Sequence, residues 1–110
     1  MKFNFEFKNK NIKLDIEKCE SIFSKFRGLM FRKKSPCLLF IFNKPVRQSI
    51  HSFFCQPFIA IWFNKNKIIE LKIIKPWRFF IKPKEKFDKL LEIPIKNNYS
   101  KIILDGIRKI

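Results

Sequence analysis

The chain is poor in the residues that phosphate-binding loops and disulfide scaffolds require. Only 2 of its 110 residues are glycine, which argues against a Gly-rich loop that cradles nucleotide phosphates through backbone N–H groups. Its three cysteines, Cys19, Cys37 and Cys55, include no C-x-x-C pair, and an odd number leaves one thiol over in any disulfide framework. The sequence therefore predicts no zinc knuckle, redox motif or disulfide scaffold, and it favours a reducing, cytoplasmic location.

Acidic residues and long apolar runs are also scarce. Nine Asp and Glu residues stand against 25 Lys and Arg residues, so the formal net charge is +16. The longest apolar runs, 37–42 and 58–63, are far shorter than the roughly 20 residues of a membrane-spanning helix. The first eight residues alternate between polar and apolar, unlike a signal peptide. We expect a single, strongly basic domain over residues 1–110, with no transmembrane segment.

Lysine, isoleucine, asparagine and phenylalanine are in excess, whereas alanine and valine occur once each, at Ala60 and Val46. The enriched residues have codons built mainly from A and T, so an A/T-rich genome would raise the lysine content without selection for a basic surface. The positive field exists under either explanation, since Coulomb attraction does not depend on why a lysine was placed. Attraction to polyanions is therefore expected, and whether it is functional stays open.

Polar and apolar residues alternate over much of the chain, which predicts strands. Period-two runs at 3–7 and 12–16 around a polar link at 9–11 predict a β-hairpin, and Asn64–Asn66 predicts the turn of a second one. Between them, Cys19, Ile22, Phe23 and Phe26 recur at helical spacing. We therefore expect a mainly β, single antiparallel β-barrel or sandwich-like domain with one short helix near residues 18–27.

Other segments are assigned from shorter patterns. Residues 37–42 and 58–63 are predicted to be buried strands, and a turn is expected at 43–45. A single helical turn is considered around Phe87, and final short strands are predicted at 101–104 and 107–110.

The order of these motifs resembles the family called domain of unknown function 192, or uncharacterised protein family 0127, and especially its short archaeal members. The resemblance covers about residues 18–110 and rests on GLMFR at 28–32, HSFF at 51–54, PFIAIWF at 57–63, KPWR at 75–78 and LEIP at 91–94. It implies a compact, mainly β, barrel-like domain with one helix and no established activity. The chain departs from the family pattern at Cys55, where a methionine is usual, and at Ala60, where an aspartate is usual.

The sequence offers no catalytic constellation. His51, the only histidine, and Cys55 would share one face of a strand but lie roughly 13 Å apart along it, which is too far for a hydrogen-bonded Cys–His pair. Two ligands are also too few for a metal site. We therefore predict no catalytic residue, metal or cofactor, and we favour a binding module over an enzyme.

Basic clusters interleaved with aromatic residues carry the main functional hypothesis. Lysine and arginine neutralise phosphates, and aromatic rings stack on unpaired bases. The domain is therefore predicted to bind nucleic acid or another polyanion through a basic, aromatic-containing face. The residues proposed for this contact are Lys33, Lys34, Lys75, Lys82 and Lys84.

An alternative is a pocket for a small anionic ligand at a barrel mouth, lined by Arg32, His51, Trp77 and Arg78. A plainer interpretation of the same residues has Arg78 paired with a carboxylate such as Glu92, and His51 hydrogen-bonded to the backbone. The sequence does not determine the oligomeric state.

Overall fold

The computed structural model describes residues 1–19, 37–50, 57–78, 80–95, 100–101 and 103–104. Its strands form one six-stranded sheet with the order β1-β2-β3-β6-β4-β5, which curls into a half-barrel. Strands β2 and β3 pair in parallel, and the other pairs are antiparallel. The predicted mainly β fold is thus confirmed. The strands are β1 (Lys2–Phe7), β2 (Lys10–Cys19), β3 (Cys37–Val46), β4 (Phe58–Asn64), β5 (Lys67–Ile74) and β6 (Phe87–Pro94).

Both predicted hairpins are present, and both close through a two-residue turn. Lys8 and Asn9 join β1 to β2 with φ values of 50° and 64°, and Lys65 and Asn66 join β4 to β5 with φ values of 51° and 67°. Two successive positive φ values match the type I′ turn, whose twist suits the flanking strands. Asparagine tolerates this left-handed conformation because its short polar side chain can hydrogen-bond locally.

Each face of the sheet carries its own apolar cluster. The first face is marked by Phe5, Leu14 and Ile61, and the second face by Phe40 and Trp62. Strands β3, β4 and β6 are buried on both faces, so long stretches of them are continuously apolar. This double burial explains why their sequences do not alternate.

The first hairpin folds over the sheet on its first face. The rings of Phe3 and Phe5 each lie 5.5 Å from the Phe63 ring, in edge-on geometry. Edge-to-face contacts between aromatic rings are favoured by their quadrupoles. These contacts bring β1, at one end of the sheet, close to β4 near the other end.

The prediction of a helix from residue 18 was wrong at its start. Lys18 and Cys19 are the last residues of β2, where they pair with Leu39 and Phe40 of β3. Cys19 is buried in the second-face cluster, so this pairing and packing outweigh the helical spacing. Residues 20–27 lie outside the described part of the chain.

Three further local predictions were also wrong. Residues 43–45 do not form a turn but lie in β3, which continues to Val46 through an irregular register after Ile41. Phe87 begins strand β6 and is fully buried. Residues 101, 103 and 104 are helical, because Ile103 packs into the first-face cluster instead of extending the sheet. Residues 107–110 lie outside the described residues.

Candidate polyanion-binding site

Exposed apolar side chains are concentrated at the end of β5 and in the connection from β5 to β6. Four large apolar residues of the described chain are exposed, and three of them fall within residues 73–80: Ile73 at 47%, Trp77 at 58% and Phe80 at 79%. Exposed cations lie in the same stretch, which we call the basic-aromatic segment (residues 73–84). These cations are Lys75, Arg78, Lys82 and Lys84.

Two aromatic residues of this segment have unusual backbone conformations. Trp77 has a φ of 62° and Phe80 a φ of 59°, both in the left-handed region. This region is rare for bulky residues, and each such conformation costs about 1–3 kcal/mol. Strained residues of this kind cluster at binding and catalytic sites, which makes these two exposed rings candidates for contact with a ligand.

The end of the segment is attached to the rest of the fold. Ile81 exchanges two backbone hydrogen bonds with Ile50, with N···O distances of 2.7 and 3.0 Å. Arg47 Nε donates to the carbonyl of Pro83 at 3.0 Å, and Lys72 Nζ donates to the carbonyl of Lys82 at 3.5 Å. An anchored segment loses less conformational entropy when it binds a partner.

Part of the predicted site lies in one exposed stretch of the chain. Lys75, Lys82 and Lys84 all lie in the basic-aromatic segment, together with Trp77 and Arg78. The remaining predicted residues, Arg32, Lys33, Lys34 and His51, lie outside the described residues. Convergence of Arg32 and His51 with Trp77 and Arg78 on one pocket therefore stays a prediction.

The described cysteines have the character of core residues. Cys37 is fully buried, and burial is the main reason that the pKa of its thiol rises to about 12. A thiol with so high a pKa is not a nucleophile at neutral pH. Cys19 is also buried, with its Sγ 3.9 Å from the carbonyl oxygen of Glu17, and Cys55 lies outside the described residues. In the described part of the chain, no three His, Cys, Asp or Glu residues are grouped as a metal site would need.

Glu92 is the residue whose burial sequence reasoning missed. It is only 5% exposed, and burial raises the pKa of its carboxyl to about 8. It forms no hydrogen bond or ion pair with any residue that the structure describes, so the suggested pairing of Arg78 with Glu92 is wrong. Its signal in the sequence was a single acidic residue within the apolar run Leu90–Ile93.

Comparison with known proteins identifies the family. No protein-family model matches the chain. A UPF0127 protein of Pyrococcus furiosus is 34% identical over 91 residues, which cover 79% of this chain and 78% of the relative. The chain belongs to uncharacterised protein family 0127. A second member, from Pyrococcus horikoshii, is 31% identical over 93 residues and covers 81% of this chain and 80% of its own length. Both relatives are archaeal, as the motif order had suggested.

Solved structures support the fold of this family member. A crystal structure of a protein of unknown function from Novosphingobium aromaticivorans has a TM-score of 0.74, covering 83% of this chain and 70% of that one. A candidate transcription regulator from Sinorhizobium meliloti has a TM-score of 0.73 and covers 83% and 76%. Both are 15% identical to this chain, so the likeness concerns the fold. Over the described residues, no helix combines the length and the apolar character needed to cross a membrane.

Proposed function

We propose that this member of family 0127 binds single-stranded nucleic acid, or a similarly flexible polyanion, through the basic-aromatic segment. The observation that carries the proposal is that the residues Trp77 and Phe80 are 58% and 79% exposed, in a stretch that also presents lysine and arginine. Cations and open aromatic rings together are what single strands need, because the cations neutralise phosphates while the rings stack on unpaired bases.

The two contributions differ in their dependence on salt. The net charge of +16 attracts any polyanion, and that attraction weakens steeply as salt rises. Stacking requires bases whose faces are open, which single strands offer and intact duplexes do not. A preference for single strands that persists at physiological salt is therefore the property that separates this function from general attraction between opposite charges.

Two further features bear on the proposal. The Sinorhizobium protein of similar fold is described as a candidate transcription regulator, which is compatible with a nucleic-acid partner. The chain has an odd number of cysteines, and Cys37 is buried and in no disulfide with a described residue, so we expect the protein to act in a reducing, cytoplasmic compartment.

The test is fluorescence anisotropy with a labelled oligothymidine and a duplex of matched length at ~0.15 M salt. We expect tighter binding of the single strand. We also expect Lys82→Gln to reduce the slope of log affinity against log salt by about 0.7, as the loss of one phosphate contact requires. Lys13→Gln, which removes the same charge from the exposed side of β2, is the matched control and should leave the slope unchanged. Equal affinities for both nucleic acids, with the salt dependence accounting for all of the binding, would contradict the proposal.

The alternative, a small anionic ligand held by Arg32, His51, Trp77 and Arg78, keeps partial support from Trp77 and Arg78, which adjoin each other on the surface. In calorimetry with inorganic phosphate, it predicts saturable binding that Arg78→Ala weakens without unfolding the domain. Loss of folding in Arg78→Ala and Trp77→Ala alike would assign the pair to structure instead.

A further inference from the structure

Strand β5 forms one end of the sheet, so one of its two edges has no strand beside it in the described part of the chain. Among the described residues, β4 alone pairs with β5, and no further backbone–backbone hydrogen bond reaches it. An edge strand presents a row of N–H and C=O groups that can pair with another strand. The outer edge of β5 is therefore a surface to which a further strand can be added.

Apolar side chains lie beside this edge on the first face of the sheet. Leu71 and Ile73 are paired with residues of β4 that belong to the first-face cluster, so both project from that face. Leu71 is half-buried, and Ile73, at 47%, is exposed. A strand added to β5 would cover part of both side chains, and the burial of apolar surface favours its addition.

The second face of β5 carries one charge of each sign. Glu70 and Lys72 are paired with residues of β4 that belong to the second-face cluster, so both project from that face. Within the strand, Lys72 Nζ lies 3.5 Å from Glu70 Oε2. A lysine on an edge opposes a strand that sets a cation against it, and it favours a strand that sets a carboxylate there.

The sequence of β5 is complementary to itself when two copies pair about Leu71. A two-fold axis pairs two identical edge strands antiparallel, and residues that face each other must share a face, so the axis passes beside one residue. A centre at Glu70 sets two glutamates opposite each other, and a centre at Lys72 sets two lysines opposite each other. A centre at Leu71 instead sets Glu70 of each copy opposite Lys72 of the second copy.

We propose that a second copy of this chain binds along the outer edge of β5, with the two β5 strands paired antiparallel about Leu71. The interface forms two Glu70–Lys72 ion pairs between the copies on the second face and a contact between the two Leu71 side chains on the first face. Because it uses the same edge of both copies, it closes at two copies instead of growing into a fibre. Ile68 and Glu70 pair with adjacent residues of β4, so Ile69 is an extra residue that shortens the regular pairing. An interface this short predicts a weak dimer.

The strand at the other end of the sheet, β1, is less suited to this association. Its rings of Phe3 and Phe5 already contact Phe63 on the first face. Its side chains at positions 2, 4 and 6 are exposed and polar. A strand added to β1 would therefore cover less apolar surface than a strand added to β5.

Sedimentation equilibrium of nucleic-acid-free protein is the first test. At about 0.2 mM protein we expect a reversible equilibrium between monomer and dimer. The net charge of +16 on each copy opposes association and salt screens that repulsion, so the dimer fraction should rise between ~0.05 and ~0.3 M salt. A dimer bridged by a bound polyanion would dissociate as salt rises. A monomer at both salt concentrations, or a dimer that weakens with salt, overturns the proposal.

An exchange of the two charges tests the register. The double variant Glu70→Lys, Lys72→Glu keeps the net charge and both partners of the ion pair within the strand, so it should fold and dimerise with itself. Mixed with wild type, it sets like charges opposite each other at both pairs, so mixed dimers should be at least about tenfold rarer than random exchange gives. Native mass spectrometry with one protein labelled with ¹⁵N measures the mixed dimers.

The matched control is the double variant Glu6→Lys, Lys13→Glu, which exchanges the same charges at exposed positions of β1 and β2. It should form mixed dimers with wild type at random. Random mixing of wild type with the β5 variant, or exclusion of the control by wild type, would place the interface elsewhere and overturn the proposal.

Two single variants separate the interface from the fold. Glu70→Lys and Lys72→Glu, each with its fold verified by circular dichroism, should dimerise at least about tenfold more weakly than wild type, because each sets like charges opposite each other. Their equimolar mixture should dimerise again, since one variant supplies two lysines and the other two glutamates. Mixing cannot restore an ion pair within a strand, so dimers that do not return on mixing contradict the proposed interface.

Discussion

Replacing Glu92 by glutamine should remove a large pH dependence from the stability of this domain. The carboxyl is 5% exposed, and its pKa in the folded protein is about 8, against an ordinary value of 4.5. Between these two values the folded state keeps the proton and the unfolded state does not, so unfolding releases a proton. Stability must therefore fall as the pH rises through this range, and Glu92 adds no further pH dependence below 4.5 or above about 8.

The size of the effect follows from the same numbers. Each pH unit between 4.5 and about 8 corresponds to about 1.4 kcal/mol, so burial of the charged carboxylate costs about 5 kcal/mol at pH 8 and above. That is a large share of the roughly 5–15 kcal/mol by which domains are stable. Glutamine has nearly the same shape and no charge at any of these pH values. The stability of the Glu92→Gln variant therefore does not include the cost of burying a charged carboxylate.

Urea denaturation from pH 4.5 to pH 8.5 measures this prediction. The other ionisable groups are common to both proteins, so the difference in unfolding free energy between Glu92→Gln and wild type isolates Glu92. As the pH rises, we expect the unfolding free energy of Glu92→Gln to increase relative to that of wild type by up to about 1.4 kcal/mol per pH unit. A difference that stays constant from pH 5 to pH 8 would refute the assignment of a buried, neutral Glu92.

Three further predictions test the fold. Cys37 should react with a thiol reagent only after unfolding, because it is fully buried and its pKa lies near 12; rapid labelling of the native protein at this residue, identified by mass spectrometry, would contradict its placement. Phe63→Ala should lower the free energy of unfolding by about 3–5 kcal/mol in urea denaturation, because it removes a buried ring that contacts Phe3 and Phe5; a loss below about 1 kcal/mol would mean that these contacts are absent. Phe80→Gly should leave stability unchanged or raise it by up to about 1 kcal/mol, since glycine adopts a positive φ without strain and the ring is 79% exposed; marked destabilisation would show that this ring packs.

Local patterns in the sequence were sufficient to predict the hairpins. The alternation of polar and apolar residues in 3–7 and 12–16 indicates strands that are buried on one face. The short polar links between these runs can adopt only a few turn geometries. The parallel pairing of β2 with β3 could not be predicted in this way, because it joins strands separated by residues 20–36 and depends on global packing. The residues after 100 were misassigned for a related reason, since Ile103 is buried equally well from a strand or a helix.

The candidate site was only partly predictable. The composition of residues 75–84 indicated a basic and aromatic surface, but the exposure of Trp77 and Phe80 depends on left-handed backbone conformations that no residue type there demands. The burial of Glu92 could not be predicted from its sequence neighbours alone. It depends on the register that sets it between Leu38 and Ala60.

The most direct test of the proposed function is the affinity of the double variant Trp77→Ala, Phe80→Ala for a single-stranded oligonucleotide, measured over a range of salt concentrations. Neither substitution changes the net charge, so the salt slope should stay the same. Stacking contributes about 1–3 kcal/mol per base, so at ~0.15 M salt the affinity for the single strand should fall at least about tenfold while that for the duplex stays the same. An unchanged affinity for the single strand, in a variant that still folds, would contradict a role for these rings and leave only the charge.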